Sequence, residues 1–575
     1  MASYLPNLGL DSAAWVDDTE WPLSSLFNDD TKTQIVIPTM STARTFDEGS
    51  TDMSYASFFE GIELPSFTPL ATDALEKQPL TMVDPSFKHS AVSSLTHESP
   101  YLPSDVRFLL SHYTTHVIDS LSGLPQTKAP WKGIHVPCAL TAYGELNIMG
   151  KSSFARVSLL YSLLSLTCYH LGTLHKASST TPDGGTEPIV SIEQAENSKY
   201  WYSQGLKYRD IARTTFQKCL LALSENPTER VKYKEVFVSA MSLICAGIIS
   251  GDPWDAHLFI LRCEHIVHNI GRRKLRFSDD ALQLHRIFAY IRIIAQTTFI
   301  QTRAQYLETL GQKSILAEEV SLVEKTPDSE FRCPTDMSSD QRVMSDLGLC
   351  DTDEYDFSEL YGIPVSILRL ITRTTSMVSL IDPPQLHGTA QPFMPPYLVG
   401  AAAALEAEVC GWKAARGTTE ISSVLSVSLK MGTNAKPTQS PVDTMKSITS
   451  TVMHHALLIY FFRFVRGTNP MILQHYVESI LTGVESLRES NLCFFPHTRL
   501  GVIVWPSFIA ACEAIGSTLR SRAIRCMRYA SWSGFKNAEA AELVAKEVWR
   551  RRDAGELHVS WSTVLRESKT ILLLT

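Results

Sequence analysis

From about residue 104 onward, apolar side chains recur at intervals of three and four residues. That period constrains the fold more than any other feature of the chain. It lays an apolar stripe along each of many helices, and such stripes are buried by packing helix on helix. Phe154 to Leu171 reads as one helix, with Val157, Leu160, Leu164 and Cys168 on a face. Phe277-Ser278-Asp279-Asp280 reads as a helix start. Ser278 can accept from the orphan amides of the first turn, and the two aspartates suit the positive end of the dipole. Phe277 and Leu282 stand at hydrophobic-staple spacing, and Ile287, Tyr290, Ile291 and Ile294 then form the inner stripe. Leu473, Val477, Ile480, Val484 and Leu487 repeat the pattern. No alternating β-branched run bounded by Asn-Gly or Asp-Gly occurs. The expected fold is therefore all-α. One large helical domain is expected over 104–555, with polar loops at 176–197, 324–356 and 431–442 and a tail over 556–575.

The chain has 575 residues, of which 44% are hydrophobic, so a large core is within reach. No run of 18 uninterrupted apolar residues exists; Ala456 to Val465 comes nearest and carries Arg463. A membrane partner is not expected. The start, Met1-Ala2-Ser3-Tyr4-Leu5-Pro6, has neither a basic nor an apolar signal region, so an intracellular protein is expected. The 11 cysteines include no Cys-x2-Cys pair, which argues against a thiolate metal site.

Charge divides the chain. Residues 1–105 hold 16 acidic and 4 basic side chains, whereas the remainder holds 44 and 48. Residues 1–103 are rich in Ser, Thr, Pro and Asp without a sustained period, and they read as a disordered acidic arm. Within it, Asp11 to Asp30 sets Trp15, Trp21, Leu23, Leu26 and Phe27 among six acids. Ser54 to Leu70 sets Phe58 and Phe59 beside Glu60 and Glu63. Such alternation marks activation segments: the acids keep the aromatics solvated, and a partner groove takes them as helix anchors. The other reading is an acidic tail whose aromatics dock on the protein's own body.

Little in the body points to catalysis. Gly144 to Ser152 approaches a phosphate loop, but five residues separate Gly144 from Gly150, and Glu145 stands where an anion would sit. A loop leading into a helix at Ser152 or Ser153 is the expectation; an enzyme with a nucleotide loop at 144–152 is the remote alternative. Cys263, His265 and His268 lie close in sequence, but on a helix only the two histidines share a face, and no fourth ligand is near. No Gly-x-Ser-x-Gly or His-Glu-x-x-His occurs. Arg520, Arg522, Arg525 and Arg528, then Arg550, Arg551 and Arg552, could form a nucleic-acid patch. Glu539, Glu542 and Glu547 lie between them, which favours a salt-bridged pair of helices.

Nine collinear segments resemble one family. They are Pro130 to Pro137, Ala142 to Leu171, Lys232 to Glu235, Cys263 to Ile266, Ala281 to Ile294, Phe357 to Pro364, His454 to Phe464, Trp505 to Phe508 and Glu547 to Asp553. Together they resemble the fungal-specific transcription factor domain found C-terminal to zinc-cluster DNA-binding domains. The branch of the arginine metabolism regulation protein II is the nearest in likeness. The resemblance implies an all-α regulatory region that contacts other proteins or itself, senses a metabolite and carries no catalytic residues, cofactor site or metal site. It also implies an N-terminal binuclear zinc cluster that begins Cys-x2-Cys-x6-Cys and is followed by a basic linker. This chain has no cysteine before Cys138 and four basic residues before residue 106. Zinc is thus expected only with a segment missing from this sequence, and DNA contact only through such a segment or a partner. The resulting expectation is a nuclear transcriptional regulator of a metabolic or biosynthetic pathway. Its expected partners are coactivators and either a second copy or a zinc-cluster protein. The alternative is a non-DNA-binding scaffold or titrator of a zinc-cluster partner.

Overall fold

A computed structural model describes residues 105–125, 129–177, 192–225, 232–271, 276–312, 323–324, 354–381, 394–413, 440–496, 498, 500–501 and 503–575. No strand occurs among them, so the all-α expectation holds. The three expected loops lie largely outside the described residues.

The first half runs through α1 (Val106–His112), a π-helical turn (Tyr113–Val117), α2 (Ile118–Ser120), α3 (Val136–Met149), α4 (Phe154–Ala177), α5 (Ile192–Glu225), α6 (Tyr233–Ser250), α7 (Pro253–Asn269), α8 (Asp279–Thr298) and α9 (Arg303–Gln312). Helix α4 is its centre and packs against α1, α3, α5 and α6. The periodicity predicts one buried face for α4; instead every side chain from Val157 to Gly172 is enclosed. Its hydroxyls explain how polar residues survive there. Ser162 and Thr167 donate to carbonyls one turn back, while Ser158 and Ser165 donate across to Ala212 O and Gly205 O of α5, each at 2.8 Å. A buried hydroxyl so paired avoids the desolvation penalty and ties two backbones together.

Phe154–Leu174 and Tyr233–Ser250 are long and apolar enough to cross a membrane. Uninterrupted apolar runs do not reveal them, because serines and other polar residues break each run. Both stretches are buried almost entirely against other helices of this chain, as expected of core helices that are apolar all round. The start of α8 is as expected: Ser278 Oγ accepts from the Ala281 amide at 3.3 Å, and Ile287, Tyr290, Ile291 and Ile294 are buried. Phe277 meets the rings of Tyr233 and His285.

The second half continues with α10 (Glu354–Tyr361), α11 (Val365–Ile381), α12 (Val399–Gly411), α13 (Pro441–Phe464), α14 (Gln474–Phe494), α15 (Val504–Glu513), α16 (Ser517–Trp532), α17 (Asn537–Asp553) and α18 (Trp561–Ser568). Helices α13 to α17 form a second bundle around the short, fully buried α15. Helix α11 links the halves by touching α8 on one side and α13 on the other, and α16 also reaches α4. One continuous apolar core runs through both halves.

Residues 556–575, set apart in sequence as a tail, are part of this packing. Ser560 caps α18 by accepting from the Thr563 amide. The final Leu572-Leu573-Leu574 is buried and non-helical, so its carbonyls need outside donors. Thr298 Oγ1, Asn537 Nδ2 and the Trp505 amide supply them to Leu572, Leu573 and Leu574 at 2.9, 2.9 and 3.1 Å. The end of the chain is thereby fastened to α8, α15 and α17.

Candidate functional site

Helices α13 and α14 lie side by side, and α16 packs against the C-terminal half of α14. Between them is a cavity of about 270 Å³. Met445, Val452 and Met453 of α13 line one wall, and Val484 and Leu487 of α14 line another. Leu500, Gly501 and Ile503, between α14 and α15, close the third side, and Tyr529 of α16 and Ser533 just after it form the back.

Leu500 and Gly501 are held by hydrogen bonds to other parts of the chain. The Gly501 amide donates to Ser122 O at 2.9 Å, and Ser533 Oγ donates to Leu500 O at 2.9 Å. A Cβ at Gly501 would lie 2.3 Å from Ser120 O, so only glycine permits this approach to the end of α2. Gly123, Gly501 and Ile503 also line a smaller cavity of about 60 Å³, bounded further in by Tyr290, Tyr361 and Thr575.

Two polar side chains of α14 enter the larger cavity one turn apart. Arg488 sits over the face of the Tyr529 ring, 4.1 Å from guanidinium carbon to ring centroid, a cation–π contact. Asn491 presents a buried Oδ1 that has no hydrogen-bond partner among the described residues. Among the described residues of the lining, Arg488 is the one charged residue and none is a carboxylate. Leu492 and Pro496 stand exposed at the rim. The arrangement can hold a small molecule that is largely apolar and bears a few polar groups.

The residues singled out from sequence fall elsewhere. Trp15, Trp21, Leu23, Leu26, Phe27, Phe58 and Phe59 lie outside the described residues. The expected loop at 144–152, and with it the remote nucleotide-loop reading, is corrected: Gly144 to Met149 is the last part of α3, and Gly150, at φ +67°, is its left-handed cap. A phosphate loop needs open amides, and here the chain is helical up to the cap. Glu145 accepts from Ser152 Oγ at 2.5 Å and pairs with Arg156, and Ser153 caps the start of α4 by accepting from the Arg156 amide. Cys263 is buried, while His265 and His268 are exposed, with His265 against Asn269. No group of three or more His, Cys, Asp or Glu residues placed to hold a metal occurs among the described residues. Their nine cysteines do not build a six-thiolate zinc cluster.

The C-terminal arginines form a salt-bridged lattice, not an open basic surface. Arg520 pairs with Asp553, Arg522 and Arg525 with Glu485, and Arg528 with Glu542. Arg550 and Arg551 share Glu547, which these two hydrogen bonds hold down to about 2. Arg552 turns inward, where Glu513 Oε2 accepts from it at 3.1 Å and from Arg463 at 2.8 Å. Phosphates would have to displace these carboxylates one by one.

The chain is 23% identical over 527 residues to the arginine metabolism regulation protein II of Saccharomyces cerevisiae, across 82% of this chain and 55% of that protein. It thus spans about half the length of the curated relative it matches. No solved structure matches it significantly. Residues 108–575 match the family profile described as the fungal specific transcription factor domain. With more than half of its length inside that match, the chain belongs to the fungal specific transcription factor domain family, a family of transcription regulators and not of enzymes.

Proposed function

We propose that this chain is the regulatory and activating part of a nuclear transcriptional regulator that controls genes of a metabolic or biosynthetic pathway. The observation that carries the reading is the family match across the whole helical body. A regulator as its relative supports the metabolic setting. In this reading the helical body receives a signal or a second subunit, and the arm over 1–103 recruits coactivators through Trp15, Trp21, Leu23, Leu26, Phe27, Phe58 and Phe59. Promoter contact comes from a zinc-cluster protein or a segment outside this sequence. The paired arginines of α16 and α17 support that division of labour, because they leave the described C-terminal helices without an open cationic stripe.

The test is a reporter assay with residues 1–103 fused to a heterologous DNA-binding domain. Activation is expected, and it should fall to background when Trp15, Trp21, Leu26 and Phe27 become Ala. A fusion that is silent at normal expression removes the activation reading. The same arginine pairing also favours a second reading, a scaffold that titrates a zinc-cluster partner. Co-purification of such a protein with the full chain, without activation by the tethered chain, would select it.

A further inference from the structure

We propose that the cavity between α13, α14 and α16 binds a small organic carboxylate with an apolar body and a hydroxyl or amino substituent near the acid. Ligand binding follows from the cavity alone, while its meaning as regulation rests on the regulator reading above. The volume of about 270 Å³ far exceeds the roughly 10–15 Å³ that one water needs. Met445, Val452, Val484, Leu487 and Leu500 give most of the wall hydrocarbon character, and that wall favours an apolar body.

The polar groups specify the rest. Arg488 brings positive charge and no carboxylate among the described lining residues offsets it inside the cavity, so an anion is favoured over a cation. The Tyr529 ring restrains the guanidinium through its face. Hydrogen bonds are made in the guanidinium plane, and its five N–H donors can hold a carboxylate alongside a protein partner. One turn on, Asn491 Oδ1 is a buried acceptor without a partner among the described residues, and buried acceptors favour a donor from whatever fills the space. An O–H or N–H one or two bonds from the carboxylate would place a donor near it while the acid meets Arg488. The exposed rim at Leu492 and Pro496 supplies the way in.

Calorimetric titration of the full chain with four probes tests this. They are 2-hydroxy-4-phenylbutanoate, 4-phenylbutanoate, 4-phenylbutan-1-ol and 4-phenylbutan-1-amine. Affinity should fall in that order, with the acid ahead of the alcohol by about tenfold or more. Arg488→Met should bring the acid down to the alcohol and leave the alcohol unchanged. Asn491→Leu should erase the gap between the hydroxy acid and the simple acid. Leu492→Trp changes a side chain that is 49% exposed, so the fold tolerates it, and it should block all four probes at the rim. Far-UV circular dichroism checks each variant. Four results would overturn the assignment: no binding of any probe at millimolar concentration, tightest binding of the amine, an unchanged acid preference in Arg488→Met, or undiminished binding to a folded Leu492→Trp variant. Binding as expected, with a promoter-tethered chain whose reporter output ignores the probe, would remove the regulator reading and leave the site.

Discussion

Replacing Glu513 with Gln should loosen the second bundle far more than any change in the outer salt-bridge lattice. Glu513 is 1% exposed, and its Oε2 accepts from Arg463 Nε at 2.8 Å and from Arg552 Nη2 at 3.1 Å. The two arginines are 13% and 17% exposed, so water screens them little. Removing one partner of a buried ion pair costs on the order of 3–5 kcal/mol, because a charge is left without its counter-ion. Here each arginine keeps carbonyl acceptors, Thr468 O for Arg463 and Cys512 O and Val559 O for Arg552. The cost should therefore sit lower, at about 2–3 kcal/mol, which corresponds to roughly 30- to 150-fold in an opening equilibrium. Hydrogen exchange reads that equilibrium locally. Amides of α15 and α17 should lose protection by that factor in Glu513→Gln, while those of α4 and α5 change little. Glu542→Gln is the control. Its partners Arg528 and Lys546 are 63% and 50% exposed, so the loss should stay below about 1 kcal/mol, or fivefold, and vanish at molar salt. Equal losses in the two variants, or loss in Glu513→Gln that salt abolishes, would refute the view that this triad is a buried electrostatic anchor.

Gly501→Ala should detach Leu500 and Gly501 from the end of α2, because the new Cβ would overlap Ser120 O. Overpacking and loss of the Gly501–Ser122 hydrogen bond together predict a loss of about 2–4 kcal/mol, read from the denaturant midpoint; a midpoint equal to wild type would contradict the close approach. Acid should destabilise the fold through buried histidines. His135 and His257 are pushed down to about 3 by burial, so the unfolded chain takes up their protons first as pH falls below the usual histidine value of about 6.5. Their stabilising contribution is complete above that value and is lost between roughly pH 6.5 and 3, by up to about 1.4 kcal/mol per pH unit for each histidine. Denaturant midpoints at pH 7.5, 6.5 and 5.5 measure the slope, and it should flatten in His257→Phe, whose ring would stack on Phe299 as the imidazole does at 3.8 Å; an unchanged slope would mean His257 is not the group titrating.

Local rules carried the sequence reading where one helix and its own turn decide the outcome. Ser278 capping α8 and Ile287, Tyr290, Ile291 and Ile294 turning inward depend on spacing alone. The reading fell short where a second element decides. Nothing in Val157 to Leu171 says that α5 and α6 will cover the face opposite Leu160, since serines at 158, 162 and 165 look like a solvated stripe until Ala212 and Gly205 offer their carbonyls. The terminal leucines likewise look like an unstructured tail until Thr298 and Asn537, more than 30 positions away, take up their carbonyls. The cavity lay between these extremes. The stripe Leu473, Val477, Ile480, Val484, Leu487 continues by helical spacing to 488 and 491, and those positions hold Arg488 and Asn491. Two polar side chains where an apolar stripe should run on can mean only that the stripe has reached solvent or that it has reached a polar interior. Helix α16 and the turn after it settle it: Tyr529 covers Arg488, Ser533 fastens Leu500 beside it, and the Asn491 oxygen is buried. A break in hydrophobic period that tertiary structure encloses costs stability unless something pairs with it, and the ligand proposed above would be that partner.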